Sequence, residues 1–324
     1  MTHLIGPDAL RELLLATNLE ELVELLSVTD YGAELRKLPK LSADATYEAF
    51  AREFKRRVEY LYSISPKRIK EFLVGLCRKY EAEAVAQVLR TKLAGAPTRR
   101  PALALSFSKV DFENLTRAED LREAFEIVRK CEDYAELERD ALERSLELES
   151  PLPLEWELKR IAYESALEAS RKLPRADGER VERLVRIEAE LDNCFIALSP
   201  LLYGLSSELA SSLLIPLTHR LSLDALKKVP FEEERDRILE LLKPYREIIE
   251  KILERDEVSA LALARQMLRR ILLKDKIEFS TSPYYLAIYL KECEFEFHDL
   301  SLIAYAIQYS LPVERVLKLL TRVE

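Results

Sequence analysis

The chain has 324 residues, enough for two or three ordinary domains, and carries 58 acidic and 50 basic residues for a formal net charge of −8. Only 6 glycines are present, which disfavours a sheet protein with its glycine-dependent turns, and the interspersed charges make no basic footprint for nucleic acid or anionic lipid. No run of 18 apolar residues occurs, the first residues lack a signal peptide's basic-then-apolar layout, and the four cysteines are scattered, so an all-α, soluble, intracellular protein is expected.

The first predicted helix enters at Pro7-Asp8, with proline near its start and an acid in its first turn. Asn18 is placed to cap the second, with Glu21 three positions on as in a capping box, and Leu19, Leu22, Val23 and Leu26 form its apolar stripe. The run from Leu22 ends in Tyr31 and is expected to continue helically. A long amphipathic helix follows from about Ala43 to Tyr62. Ser65 before Pro66 reads as a cap with proline at the first helical position, opening a helix to Tyr80 and then the helix of Glu81. Ala96 to Pro101, with two prolines and no apolar period, is the clearest linker. The neighbouring Arg90, Lys92, Arg99 and Arg100 read as a solvated loop in preference to a phosphate site.

The second third repeats the plan. Thr116 or Asp120 caps a helix running toward Tyr134, Pro151-Leu-Pro153 interrupts, and Pro174 leads into the helix of Glu190. The last third opens where Ser222 caps a helix, carries a run from Ile238 to Tyr245, and reaches Ser280-Thr-Ser282-Pro283 ahead of the helix of Glu296. Cys194 to Leu198 with Leu201 to Tyr203, and Leu300 to Ile307, are apolar nearly all round and are expected to be buried.

Three markers recur in register. Glu81, Glu190 and Glu296 stand 109 and 106 residues apart, each followed three residues later by Ala84, Asn193 or Asp299 and fourteen later by a small residue, Gly95, Gly204 or Ser310. Tyr31, Tyr134 and Tyr245 are 103 and 111 apart. Pro66, Pro174 and Pro283 precede Ala84, Asn193 and Asp299 by 18, 19 and 16 residues. The period divides the chain into helical units at 1–107, 108–218 and 219–324. Structural roles are expected for the marker side chains: each Tyr packing a ring and satisfying its hydroxyl, each Glu near a helix entry or in an ion pair.

No catalytic chemistry is legible. Glu294 and His298 share a helix face, but a di-iron bundle needs Glu three before His, where Phe295 stands, so no metal site is expected. No P-loop, dinucleotide fingerprint or H-E-x-x-H occurs, and only His3, His219 and His298 are available near neutral pH. No catalytic, cofactor-binding or metal residue is assigned, and no cofactor is expected. Scarcity of amides (Asn18, Asn114, Asn193, Gln87, Gln266, Gln308) beside 33% charged residues is a bias of heat-adapted proteins, so a thermophilic source is expected.

Lys291 to Ala304, followed by Leu311-Pro-Val-Glu314 to Leu320, resembles the last-unit signature of the C-subunit (d-subunit) family of A-type and V-type rotary ATPases. Ala86 to Gly95 is similar to the corresponding first-unit segment. The family's Asn is Asn193 in the second unit only, and the first unit looks shortened at its N-terminus. The resemblance implies a funnel-shaped, pseudo-threefold, non-catalytic subunit on the cytoplasmic face. It would lie peripheral to the membrane and couple the central stalk to the proteolipid ring in transmitting torque, with no nucleic acid partner. A helical scaffold for unrelated partners shares the composition but would favour a repeat of about 33–47 residues, which is absent. An acid-lined helical enzyme is disfavoured because no acidic motif recurs.

Overall fold

The computed structural model describes residues 4–274 and 282–323, and it is helical throughout, with no strand among the described residues. The first third contributes α1 (Pro7–Leu13), α2 (Leu19–Leu26), α3 (Gly32–Leu35), α4 (Ala43–Ile64) and α5 (Lys67–Leu93). The second holds α6 (Phe112–Arg117), α7 (Leu121–Arg129), α8 (Arg139–Glu147), α9 (Leu152–Arg171), α10 (Arg175–Tyr203) and α11 (Ser207–Ser212). The third holds α12 (Leu223–Lys228), α13 (Arg235–Leu241), α14 (Arg246–Leu253), α15 (Glu257–Lys274), α16 (Pro283–Gln308) and α17 (Val313–Leu317). Glu81, Glu190 and Glu296 thus stand on the three long helices α5, α10 and α16.

The caps explain most of the helix starts. The side chain of Asn18 accepts from the Glu21 amide at 2.8 Å, while Glu21 reaches back to the Thr17 amide at 2.7 Å, one residue earlier than an ordinary capping box. Asp120, not Thr116, caps α7, and Ser222 and Ser282 cap α12 and α16. Ser280 and Thr281 lie outside the described residues. Ser65 does not cap: its hydroxyl donates to the Leu61 carbonyl at the end of α4, and Pro66 is the residue before α5. The separate helices expected up to Tyr80 and from Glu81 are one 27-residue helix, because neither Gly nor Pro breaks the junction.

All three marker helices end in the left-handed region at the residue fourteen after the Glu: Gly95 at φ 61°, Gly204 at φ 70° and Ser310 at φ 51°. At Gly95 and Ser310 the next amide folds back along the helix, Ala96 to the Thr91 carbonyl at 3.0 Å and Leu311 to Ala306 at 2.9 Å, so both ends are Schellman caps. Glycine takes this conformation freely, whereas Ser310 carries a steric cost of about 1 kcal/mol.

The runs leading to the marker tyrosines do not continue as single helices. α2 stops at Leu26, five residues before Tyr31, and Tyr134 and Tyr245 each close a short 3₁₀ turn beyond α7 and α13. Turning the chain there points each ring inward. Gly32, next to Tyr31, permits this because a Cβ on it would lie 2.3 Å from the Ser27 carbonyl oxygen.

The chain divides by compactness into one unit of residues 1–58 with 190–324 and another of 59–189. The core of the second is built from α5, α7 and α9 around Val85, Leu89, Phe125, Val128, Leu154 and Leu158. In the first, Phe297 on α16 stacks on Phe54 with ring centres 5.9 Å apart and meets Tyr47 at 5.1 Å, over a core that includes Leu10, Leu22, Phe50, Leu300 and Ile303. Each such fully buried side chain contributes about 1.5–3 kcal/mol, so helix faces and not propensity hold these units together.

Candidate functional site

The marker residues meet, each Tyr with the Glu of the preceding third. Tyr31 donates its hydroxyl to Glu296 Oε1 at 2.8 Å across 265 residues of chain. Tyr245 donates to Glu190 Oε2. Tyr134 lies over Arg78, which is bound to Glu81, and its hydroxyl sits in the field of the Glu81 carboxylate without a bond of ordinary geometry. The pairing closes on itself, since the first third's Tyr31 takes the last third's Glu. Each ring also carries an arginine on its face: Arg57 is 4.9 Å from the Tyr31 centroid, Arg78 5.6 Å from Tyr134 and Arg220 5.9 Å from Tyr245.

The reason for a buried carboxylate at each node is the supply of donors around it. Glu190 Oε1 accepts the backbone amides of His219, Arg220 and Leu221 at 2.8, 2.9 and 2.7 Å, three consecutive donors of a connection with no helical partner for them. Glu296 accepts Arg57 Nη1 at 2.6 Å beside Tyr31, and Arg322 Nη1 at 2.7 Å and the Ile5 amide at 2.5 Å on its other oxygen. Arg57 is shared with Glu53 at 3.1 Å, and Arg322 with Glu292 at 3.0 Å. Burial, and then the adjoining carboxylate's charge, push the Tyr31 and Tyr134 hydroxyls well above the ordinary phenol range. For Tyr245 the cause is burial followed by its bond to Glu190. All three are kept protonated, Tyr31 and Tyr245 as donors to their carboxylates.

The residue three after the Glu has one task in two thirds. Asn193 exchanges two bonds with Ile215, accepting its amide at 2.8 Å and donating to its carbonyl at 2.7 Å. Asp299 accepts the Thr321 and Arg322 amides, both at 2.8 Å. In both cases the grip falls 22 residues further on. Ala84, buried and apolar, makes no such bond and only packs.

Burial raises Asp299 from an ordinary carboxyl value to about 6, against the opposing pull of the two amides. Its folded value lies above its unfolded one, so the native state binds more protons between roughly pH 4 and 6, and the associated stabilisation is present at acid pH and lost as pH rises through about 6. We expect the stability difference between the native chain and Asp299→Asn to move in favour of the native chain by about 1 kcal/mol from pH 7 to pH 5, measured by urea unfolding at each pH. A gap that stays constant, or moves the other way, contradicts this reading.

The Glu190 and Glu296 carboxylates each accept several donors, all three carboxylates are buried, and the described residues contain no group of His, Cys, Asp and Glu placed to hold a metal ion. Glu294 pairs with Lys291 at 3.1 Å. The basic residues near the linker do not converge: Arg90 binds Glu155 at 2.7 Å, and Lys92 donates to the Thr116 and Ala118 carbonyls at the end of α6.

The apolar marker helices are buried over most of their length, but their ends are not. Tyr203 and Tyr309, each just before its left-handed cap, are both 63% exposed, and Leu201, Leu311, Val313 and Leu317 accompany them. The sequence pattern assigned Leu201 and Tyr203 to the interior; one turn of helix beyond the core leaves them outside it. Among the described residues no helix is long and apolar enough to cross a membrane.

Comparison with known proteins adds a family. The model of the family described as ATP synthase (C/AC39) subunit matches residues 1–319. The C subunit of the A-type ATP synthase of Desulfurococcus sp. (strain SY) is 26% identical over 323 residues, covering 98% of this chain and 86% of that protein. The protein of the same name from Pyrococcus horikoshii is 25% identical with the same coverage, and that from Thermococcus kodakarensis 24% identical over 66% of this chain and 57% of its own length.

Proposed function

The chain belongs to the ATP synthase (C/AC39) subunit family, and on that premise we propose that this non-catalytic member of a rotary ATPase joins the central stalk to the membrane proteolipid ring and transmits torque between them. Such a coupler must resist shear, because torque is lost wherever one part of the body slides over another. The observation that carries the reading is the pair of buried, charge-assisted Tyr–Glu bonds, Tyr31 to Glu296 and Tyr245 to Glu190, each tying one third of the chain to the preceding one, while at Tyr134 the tie is the Arg78–Asp133 ion pair. Close-packed helices joined in this way deform little under load.

The boundaries 1–107, 108–218 and 219–324 are the thirds so joined, a proposed division distinct from the two compact units. The chain would be held at the cytoplasmic side by protein contacts, in keeping with the absence of a crossing helix among the described residues. Its partners are the stalk proteins and the ring, and the exposed helix ends at Tyr203 and Tyr309 are the first places to seek them.

Co-purification from detergent-solubilised membranes of the source organism, with this chain tagged, tests the partners. Central-stalk and proteolipid components are expected together in stoichiometric yield. Recovery of neither, by a chain shown to be folded and helical, would overturn the coupling role and leave a helical scaffold of other purpose.

A further inference from the structure

The two ends of the chain meet at one buried charge cluster. Ile5 engages it with both of its backbone groups: its amide donates to Glu296 Oε2 at 2.5 Å, and its carbonyl accepts Arg322 Nη1 at 2.8 Å. Arg322 also holds Glu296 and Glu292, and its own amide is held by Asp299. Farther out, Arg11 Nη2 donates to the Val323 carbonyl at 3.0 Å. The final segment is otherwise fastened by Gln266, which donates to the Lys318 and Leu320 carbonyls at 3.0 Å each, and by Arg269, shared between Glu292 and the Thr321 carbonyl.

We infer that the N-terminal segment, residues 5–14, and the C-terminal strap, residues 318–323, form a single latch that opens and closes as one. Neither end can leave alone without stranding buried polar groups at the other. If the strap lifts, Arg322 leaves with it, so the Ile5 carbonyl loses its donor and Glu296 retains only Arg57, itself shared with Glu53, as a charged partner. If the N-terminal segment lifts, Glu296 loses the Ile5 amide and Arg322 loses its carbonyl acceptor. Burying unsatisfied polar groups is costly, so the intermediate with one end free is disfavoured relative to both ends bound or both released. The charged groups facing this cluster are Glu53 and Arg57 from α4, Asp30 from the turn between α2 and α3, Arg265 and Arg269 from α15, and Glu292, Glu296 and Asp299 from α16. A partner that draws away the strap therefore releases the N-terminal helix as well, which turns local binding at one end into a change at the other.

Hydrogen exchange of the full-length chain followed by mass spectrometry tests the latch. In Arg322→Met, amides of residues 5–14 should exchange at least about tenfold faster than in the native chain, while those of 121–129 in the other compact unit stay within about twofold. Faster exchange confined to the strap, with 5–14 unchanged, would overturn the inference. Should that variant fail to fold, the native chain alone decides: under rising sub-denaturing urea, the amides of both ends should converge on one opening with a common midpoint. Two separate openings would refute the single latch.

Discussion

Replacing Glu296 with alanine is expected to lower the unfolding free energy by about 3–5 kcal/mol, the usual cost of removing one partner from a buried ion pair. The side chain is closed to solvent and accepts four donors, from Ile5, Tyr31, Arg57 and Arg322. Its loss leaves Arg57 with Glu53 and a distant Asp30, Arg322 with Glu292, and the Tyr31 hydroxyl and Ile5 amide with no acceptor there. Because a domain has only about 5–15 kcal/mol of stability to lose, this substitution should populate partly unfolded chain at moderate temperature. Tyr31→Phe removes one donor of the four and should cost about 1–2 kcal/mol. Urea unfolding followed by far-ultraviolet circular dichroism measures both. A loss under about 1 kcal/mol for Glu296→Ala would mean that the node does not hold the ends of the chain.

The second large effect lies in the other compact unit, where α5 and α9 approach so closely that only glycine fits at position 75. A Cβ there would stand 2.4 Å from the Ala169 Cβ and 2.9 Å from the Ser165 carbonyl oxygen. Alanine normally improves a mid-helix glycine position by about 1 kcal/mol. Here the helices must separate to admit it, and overpacking of this kind costs about 1–3 kcal/mol, so Gly75→Ala should be destabilising overall and Gly75→Val more so. The backbone oxygen cannot move aside independently of its helix. Adding Ala169→Gly should recover part of the loss, since it removes the nearer of the two obstacles. A neutral or stabilising Gly75→Ala, by thermal unfolding of the same chains, would show that the two helices are not held at this distance.

The features legible in the sequence were those that repeat. The small residue fourteen after each marker Glu proved to be the left-handed helix cap at Gly95, Gly204 and Ser310. The prolines at 66, 174 and 283 stand immediately at or before the starts of α5, α10 and α16, and the apolar runs after Asn193 and Asp299 are mostly core, except for Leu201 and Tyr203 at the end of α10. Pairing was not legible. Nothing local in Tyr31 points to a carboxylate 265 residues away, because that contact is set by how the helices pack and not by spacing along the chain. Arg57, Arg78 and Arg322 were equally hidden, since in a chain where charged residues make up 33% each reads as one more solvated cation. Their partners are carboxylates contributed by separate helices, or one turn away along the same buried face. The helix breaks before the tyrosines escaped a periodicity reading because the apolar pattern carries on across the break while the backbone turns to deliver the ring.

The measurement closest to the function compares ATP hydrolysis with ATP-driven ion uptake in vesicles containing the A-type ATPase assembled with and without this chain. Coupling through the chain predicts that, without it, hydrolysis by the catalytic head continues while ion uptake is lost, and that adding the chain back restores uptake. Uptake at the same rate per ATP hydrolysed in its absence would contradict the coupling role.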